Sequence, residues 1–113
     1  VIDKNIDDYS TDNISFVCSD NIDTGGDLLL LKDVLQHWTN DEVISFLDKN
    51  IPLFKYIIIT NSSTQSTDWQ DSKMPHIDTR PLSAKYFPLK KYNPAIVLET
   101  NINEPKETSL IIA

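Results

Sequence analysis

Apolar residues in this chain fall into short runs that stop abruptly at polar or charged residues. The clearest run is residues 28–31, four leucines that follow Asp27 and end at Lys32 and Asp33. A strand with one face in water alternates apolar and polar residues, so an unbroken run predicts a short strand covered on both faces. Residues 54–60 hold a second apolar run and predict a second strand.

The segment between these two runs has the pattern of an amphipathic helix. Thr39, followed by Glu42 three residues later, predicts a capping box at its start. The apolar face after it is made of Val43, Ile44, Phe46 and Leu47. Residues 50–52, Asn-Ile-Pro, end the helix. A strand, a helix and a strand form a βαβ unit with parallel strands, so Asp33 and Asn61 are expected at the same edge of a sheet.

The residues before the leucine run predict two further elements. Residues 1–9 are typical of the end of an amphipathic helix. The apolar positions of that helix are Ile2, Ile6 and Tyr9. Residues 14–18 alternate and are rich in β-forming side chains, which predicts a strand that stops just before Asp20.

The second half of the chain predicts a long loop and a hairpin. Residues 64–91 show no period, and a loop of that length is expected to serve a function or to move. Residues 94–99 and 109–112 predict two strands joined by a turn over residues 101–106. That connection is too short for a helical crossover, so the two strands are expected to be antiparallel.

Composition limits the classes of protein that the chain fits. Its 113 residues are enough for one domain and too few for two. A content of 40% apolar and 24% charged residues is that of a folded globular protein. No apolar run approaches the roughly 20 residues that span a bilayer, and no signal-peptide pattern stands at the N-terminus. We therefore expect a cytoplasmic protein with no membrane contact.

The charge and the cysteine and histidine content limit the kinds of partner and metal site that we expect for this chain. The chain has 10 basic and 17 acidic residues, and the net charge of −7 repels phosphate backbones, so no nucleic-acid partner is expected. The single cysteine, Cys18, forms no internal disulfide and cannot hold zinc alone. The two histidines, His37 and His76, have no second ligand at helical spacing, and no metal site is predicted.

Several segments, taken in order, resemble the middle and C-terminal part of class I S-adenosylmethionine-dependent methyltransferases. The matching segments are residues 13–20 (NISFVCSD), 27–38 (DLLLLKDVLQHW) and 55–61 (KYIIITN). Residues 77–82 and 95–99 are similar to one small subgroup of that family. The most specific motif is residues 32–38. The resemblance implies an α/β fold: a partial Rossmann-like methyltransferase sheet with parallel central strands and a C-terminal antiparallel hairpin.

The resemblance also implies roles for individual residues around S-adenosylmethionine. Asp20 matches the position that receives the adenine amino group, with Ser19 and Asn21 as its neighbours in that loop. Asp33 matches the position that lines the methionine end of the cofactor and the approach to the substrate. His37, one turn further, is expected to contact the substrate or transfer a proton. The alternative for His37 is a packing histidine with one hydrogen bond.

The methyl acceptor, a small molecule or a protein, is expected to meet three further side chains. Asn61 follows the second strand at the predicted sheet edge. Trp69 and Arg80 stand in the long loop, where they are expected to cover the mouth of a pocket. Nothing in this loop forms a pattern that specifies one acceptor.

The chain departs from the family at its glycines. The family opens with a strand and a Gly-x-Gly-x-Gly loop that lets the cofactor approach the sheet. Here the two glycines, Gly25 and Gly26, are adjacent and directly precede the leucine run. In the family strand order 3-2-1-4-5-7-6, strands 1 and 2 have no counterpart in this sequence. We therefore expect an incomplete methyltransferase domain whose activity requires the missing cofactor loop.

Three explanations are open at this point. The chain is part of a larger methyltransferase, which is the favoured reading. Alternatively, it is a truncated relic without catalysis, which binds a partner or forms a homo-oligomer through its open sheet edge. The third explanation is a different protein with a coincidental pattern.

Overall fold

One helix packs on one face of a four-stranded sheet, in a computed structural model that describes residues 14–15, 25–63 and 80–113. The regular elements are β1 (Gly26–Lys32), α1 (Asn40–Asn50), β2 (Phe54–Ser62), β3 (Ala95–Asn101) and β4 (Pro105–Ile112). Short 3-10 helices cover Leu35–His37, Ile51–Leu53 and Leu89–Tyr92. The α/β class expected from the sequence is therefore confirmed.

The strands lie in the order β1-β2-β4-β3. β1 and β2 are parallel, with Leu29 opposite Ile57. β4 is antiparallel to both β2 and β3, with Ile111 opposite Ile57. The predicted βαβ unit with parallel strands and the predicted C-terminal antiparallel hairpin are both confirmed.

The hairpin strands are longer than predicted. β4 begins at Pro105, four residues before the expected start, and only residues 102–104 remain between the two strands. The polar residues at the start of β4 pair with polar residues of β2; Thr108 lies opposite Thr60, and their hydroxyl oxygens are 2.9 Å apart. The prediction began β4 too late because it took these polar residues for a turn.

The start of α1 follows the predicted capping box. The Oγ1 of Thr39 accepts a hydrogen bond from the backbone N–H of Glu42 at 3.2 Å, and Oε1 of Glu42 accepts from the Thr39 N–H at 3.2 Å. These two bonds satisfy donors that a helix start leaves without intrahelical partners. α1 then buries Val43 and Leu47 against the sheet.

The core lies between α1 and the sheet face made by the inward positions of the strands. Its fully buried members include Leu35, Val43, Leu47, Ile57, Ile59 and Leu89. At the edge of this layer the rings of Trp38 and Phe46 meet edge to face, with centroids 5.2 Å apart. One continuous apolar layer therefore holds the helix to all the central strands.

The opposite face of the sheet is apolar and exposed. Successive side chains of β1 alternate, so Leu31 is buried toward α1 whereas Leu28 and Leu30 are 46% and 65% exposed. We call this surface the open face; it consists of Leu28, Leu30, Tyr56, Ile58, Leu98, Leu110 and Ile112. The expectation that the leucine run is covered on both faces is therefore wrong for the described structure, because no described element lies on the open face.

The residue before β1, Gly25, lies where there is no room for a side chain. A Cβ atom at Gly25 would overlap the carbonyl oxygen of Leu53, so only glycine fits between β1 and the start of β2. Just beyond, the Nζ of Lys55 lies 3.2 Å from Oδ1 of Asp27, an ion pair on the surface.

Some predictions fall on residues that the structure does not describe. The predicted helix over residues 1–9 lies outside the described ranges. Of the predicted strand over residues 14–18, only Ile14 and Ser15 are described, and neither is in a strand. Most of the predicted loop, residues 64–79, is also outside. Among the helices of the described ranges, none has the length and apolar content needed to cross a membrane.

Candidate functional site

Asp33 stands directly after β1, at the carboxyl edge of the parallel pair. Its backbone has a φ of 56°, in the left-handed region that aspartate tolerates better than most residues. Its N–H donates to the carbonyl oxygen of Thr60 at 2.8 Å, which fixes the turn to β2. The carboxylate then meets two ammonium groups, with Oδ1 2.6 Å from Nζ of Lys106 and Oδ2 3.2 Å from Nζ of Lys32.

Lys106 comes from the other end of the chain. It is the second residue of β4, and the antiparallel direction of that strand brings its start to the edge where β1 and β2 end. Besides Asp33, the ammonium lies 3.0 Å from Oε1 of Glu104 and 3.4 Å from Oγ of Ser62. Its side chain is only 24% exposed. The edge therefore carries a small network of charges instead of one isolated carboxylate.

This network shifts the pKa values of both central groups. The hydrogen bond from Lys106 is the main cause that lowers the pKa of Asp33; burial opposes it, and Lys32 adds to the lowering. The hydrogen bond to Asp33, followed by the one to Glu104, raises the pKa of Lys106. Both shifts favour the charged forms, so the carboxylate and the ammonium stay ionised at neutral pH.

Gln36 holds three chain segments together beside this edge. Its side-chain Oε1 accepts a hydrogen bond from the backbone N–H of Ser62 at 2.7 Å. Its carbonyl oxygen accepts from the N–H of Arg80 at 3.2 Å, and the N–H of Leu82 donates to the Ser62 carbonyl at 2.8 Å. The turn after β1, the end of β2 and the segment that begins at Arg80 are therefore fixed to one another.

The side chain of Arg80 points into the protein. The residue is 6% exposed; its Nη2 donates to the carbonyl oxygen of Trp38 at 2.8 Å, and its Nη1 donates to Oδ1 of Asn40. These bonds hold Trp38 and the first residue of α1 in place. The predicted contact of Arg80 with a methyl acceptor stays a prediction, but the bonds described here are to the fold itself.

Asn61 and His37 occupy different surroundings. Asn61 is 1% exposed and lies on the α1 side of the sheet, opposite Glu107 on β4. Its Oδ1 is buried without a hydrogen-bond partner among the described residues. His37 is half-buried and is the last residue of the 3-10 helix Leu35–His37, close in sequence to Asp33. The predicted sheet edge therefore includes Asp33 and Asn61, as expected, but Asn61 faces the interior.

A buried carboxylate that the sequence analysis missed lies next to Asn61. Glu107 is 4% exposed; its Oε2 accepts from Oγ of Ser83 at 2.8 Å, and its Oε1 accepts from the N–H of Ala84 at 2.7 Å. The sequence placed Glu107 between the predicted turn and strand, where acids are usually solvated. The one indication in the sequence is that Glu107 stands two residues before Ser109, which is buried, and residues two apart in a strand face the same side of the sheet.

A cavity of about 670 Å³ opens between the β3–β4 turn and the segment after Leu82. Its lining includes Ser63, Lys85, Tyr86, Glu99, Lys106 and Glu107. Lys85 and Glu99 face each other there, 3.4 Å apart and both more than half exposed. Because Lys106 lines this cavity and also binds Asp33, the cavity and the carboxyl edge of the sheet share one wall.

Other predicted site residues lie outside the described ranges. These are Ser19, Asp20, Asn21 and Trp69. In the described ranges, no group of three or more His, Cys, Asp and Glu side chains is placed to hold a metal ion. Comparison of this chain with protein-family models, with curated proteins and with solved structures finds no match.

Proposed function

We propose that this chain is the C-terminal portion of a class I S-adenosylmethionine-dependent methyltransferase, which transfers a methyl group to a small-molecule or protein acceptor. The observation that carries the proposal is the strand order. The order β1-β2-β4-β3 corresponds to the last four positions, 4-5-7-6, of the family order. The two parallel strands joined through α1, followed by a hairpin, agree with the arrangement that the resemblance implies.

Asp33 supports the proposal through its place and its charge. It follows the strand that corresponds to the family's fourth, where ligands of open α/β sheets bind. Its carboxylate stays ionised and its side chain is 30% exposed, which fits a contact with the cationic methionine end of the cofactor. Lys106 on β4 binds both Asp33 and Oγ of Ser62, the last residue of β2.

S-adenosylmethionine supplies an activated methyl group, and the protein's part is to align the acceptor and exclude water. We place the acceptor in the cavity that shares Lys106 with the Asp33 network. Its volume of about 670 Å³ suits a small ligand, and its charged lining favours a polar one. A general base is needed only for a poorly ionised acceptor, and His37 is our candidate for it.

Calorimetric titration with S-adenosylmethionine tests the proposal. We expect micromolar binding by the natural polypeptide in which this chain occurs together with a Gly-rich loop. Asp33→Asn should weaken that binding about tenfold, since it removes one charge-assisted contact. Asp27→Asn, which removes the same charge from the other end of β1, should leave binding unchanged. Absence of binding by the natural polypeptide, or equal effects of the two variants, would contradict the proposal.

The alternative function is a non-catalytic, methyltransferase-like module that binds a partner or forms oligomers. It is favoured by the position of β1 at the edge of the described sheet, with neighbours on one side only. An edge strand offers unpaired backbone groups to another chain. Sedimentation analysis separates the two functions: a stable dimer that does not bind S-adenosylmethionine indicates the module.

A further inference from the structure

Three side chains that carry acceptor oxygens form a row across the sheet beside the cavity. The register places Glu107 on β4 directly opposite Asn61 on β2 and directly opposite Glu99 on β3. Residues directly opposite each other on paired strands point to the same side of the sheet, with Cβ atoms about 4.5–5.5 Å apart. Glu99 and Glu107 both line the cavity. Two carboxylates and one amide therefore lie side by side at its wall.

The carboxylate of Glu107 is buried without a cation against it. Glu107 is 4% exposed, and its two oxygens accept from the neutral donors Ser83 and Ala84. In the described part of the chain, no lysine or arginine side chain forms an ion pair with it. Burial of a charge is costly unless an opposite charge lies beside it. A carboxylate has about four acceptor sites, so Glu107 can accept further donors from the cavity.

Asn61 gives an independent indication of a missing donor. It is 1% exposed, and its Oδ1 has no hydrogen-bond partner among the residues that the structure describes. Buried acceptors without a donor are rare in folded proteins. Because Asn61 lies directly beside Glu107, a donor group bound to that carboxylate is close to the amide oxygen as well. Both side chains therefore favour a ligand that donates hydrogen bonds.

The lysines of the cavity wall leave one negative charge uncompensated. The ammonium of Lys106 contacts Asp33 and Glu104, two carboxylates outside the lining, at 2.6 and 3.0 Å. Lys85 lies 3.4 Å from Glu99, and both side chains are more than half exposed, which makes this pair weak. One weakly bound lysine thus faces two carboxylates in the cavity. The excess negative charge favours a cationic ligand.

We propose that the cavity binds the primary ammonium group of its ligand through Glu107 and Glu99, with the amide oxygen of Asn61 as the third acceptor. A primary ammonium has three N–H donors, which matches these three acceptors. A metal ion fits less well, because Ca²⁺ and Mg²⁺ take six or more oxygen ligands. That this ligand is the methyl acceptor rests on the proposed function; its binding does not.

An NMR chemical-shift titration of the full chain with n-butylammonium chloride, without S-adenosylmethionine, tests the proposal. We expect saturable shifts of the Tyr86 and Glu107 amide signals, and none with n-butanol, which has a similar shape and no charge. No saturation, equal shifts with n-butanol, or saturation of the same signals by MgCl₂ alone would overturn the proposal. Since no cofactor is present, such a failure is distinct from a failure to bind S-adenosylmethionine.

A blocked lysine, N-acetyl-lysine methylamide, identifies the source of the ammonium group. Binding tighter than that of n-butylammonium supports the proposal with a lysine side chain of a protein as the ligand. Weaker binding supports it with a free small amine, because the added amide groups then hinder entry into the cavity.

Two matched lysine variants determine the sign of the charge that binds. Lys85→Ala removes the cation that competes for Glu99, so it should tighten n-butylammonium binding about fivefold. Lys91→Ala removes a lysine that pairs with Asp48 at 3.5 Å on the surface, and it should leave binding unchanged. All four side chains are at least 47% exposed, so both variants are expected to fold. Weaker binding by Lys85→Ala, or equal effects of the two variants, would overturn the proposal.

Discussion

The ammonium of Lys106 lies 2.6 Å from Oδ1 of Asp33, and it joins the start of the last strand to the end of the first, 73 residues apart in the sequence. Because β2 lies between β1 and β4, this contact spans the end of β2 at the carboxyl edge of the parallel pair. It also connects Asp33 to the wall of the neighbouring cavity, which Lys106 lines.

The first prediction concerns the pH dependence of this pair. Asp33→Asn should lower the free energy of unfolding near pH 7 by about 1 kcal/mol, as expected for a partly exposed ion pair. Because the pKa of Asp33 is lowered in the folded protein, its contribution is present above the ordinary carboxyl value of about 3.9. The contribution is lost as the pH falls through the lowered pKa.

Urea unfolding of both proteins over a range of pH checks this. The difference in the free energy of unfolding between Asp33→Asn and the parent should be constant near neutral pH and should disappear only at acidic pH. Asp27→Asn, which breaks an exposed surface pair, should change little at any pH. A difference for Asp33→Asn that persists at the lowest pH would mean that the ion pair is not its source.

The second prediction separates the Asp33 backbone from its charge. Asp33→Ala and Asp33→Gly both remove the carboxylate, but alanine at a φ of 56° is strained and glycine is not. We expect Asp33→Ala to be less stable than Asp33→Gly by about 1 kcal/mol. Thermal unfolding followed by circular dichroism measures the difference, and equal midpoints would argue against the left-handed turn.

The third prediction concerns the buried carboxylate of Glu107. Glu107→Gln replaces the carboxylate acceptor of Ser83 and Ala84 with a neutral amide, so both hydrogen bonds weaken and the hydroxyl of Ser83 must turn to accept from the amide nitrogen. We expect a loss of about 2 kcal/mol in the free energy of unfolding. Glu99→Gln is the matched control, because Glu99 lies opposite Glu107 on β3 but is exposed. A control that is equally destabilised would show that general charge, not burial, is the cause.

The fourth prediction concerns the phenol of Tyr92. Its hydroxyl donates to Oδ1 of Asp48 on α1 at 2.8 Å, and burial, followed by this hydrogen bond and the charge of Asp48, raises its pKa. The neutral phenol stabilises the fold below the ordinary value of about 10, and this contribution is lost as the pH rises through the higher folded value.

An alkaline titration followed by ultraviolet absorbance should therefore show a step above the ordinary tyrosine range, which belongs to Tyr92. Tyr92→Phe should remove that late step and cost about 1 kcal/mol of stability at neutral pH. Asp48→Asn keeps an acceptor without the charge, so it should move the step to lower pH without removing it. A titration unchanged by Tyr92→Phe would contradict the assignment.

The sequence predicted well what depends on local pattern. The capping box of Thr39 and Glu42 is set by residues three apart, and the parallel pair and the hairpin follow from the length of the connections. The edge position of Asp33 followed from the same argument. These features need only neighbouring residues or the order of the elements.

The rest depends on contacts between distant segments. Nothing near Lys106 in the sequence indicates that it binds Asp33, and a polar stretch around Glu107 has the composition of a turn. The exposure of Leu30 was also missed, because a run of four leucines has the same composition whether one face or both faces are covered. The burial of Arg80 depends on Trp38 and Asn40, which only the folded chain brings to it.

Gly25 has a consequence for engineering. The carbonyl oxygen of Leu53 occupies the space that a side chain at residue 25 would need, so the path of the backbone is fixed at this point. A residue inserted at this point would shift the register of β1 against β2, which pairs Gly26 with Phe54. A fusion protein that joins a new N-terminal segment to this sheet must therefore keep Gly25, and any turn of the chain must come before it.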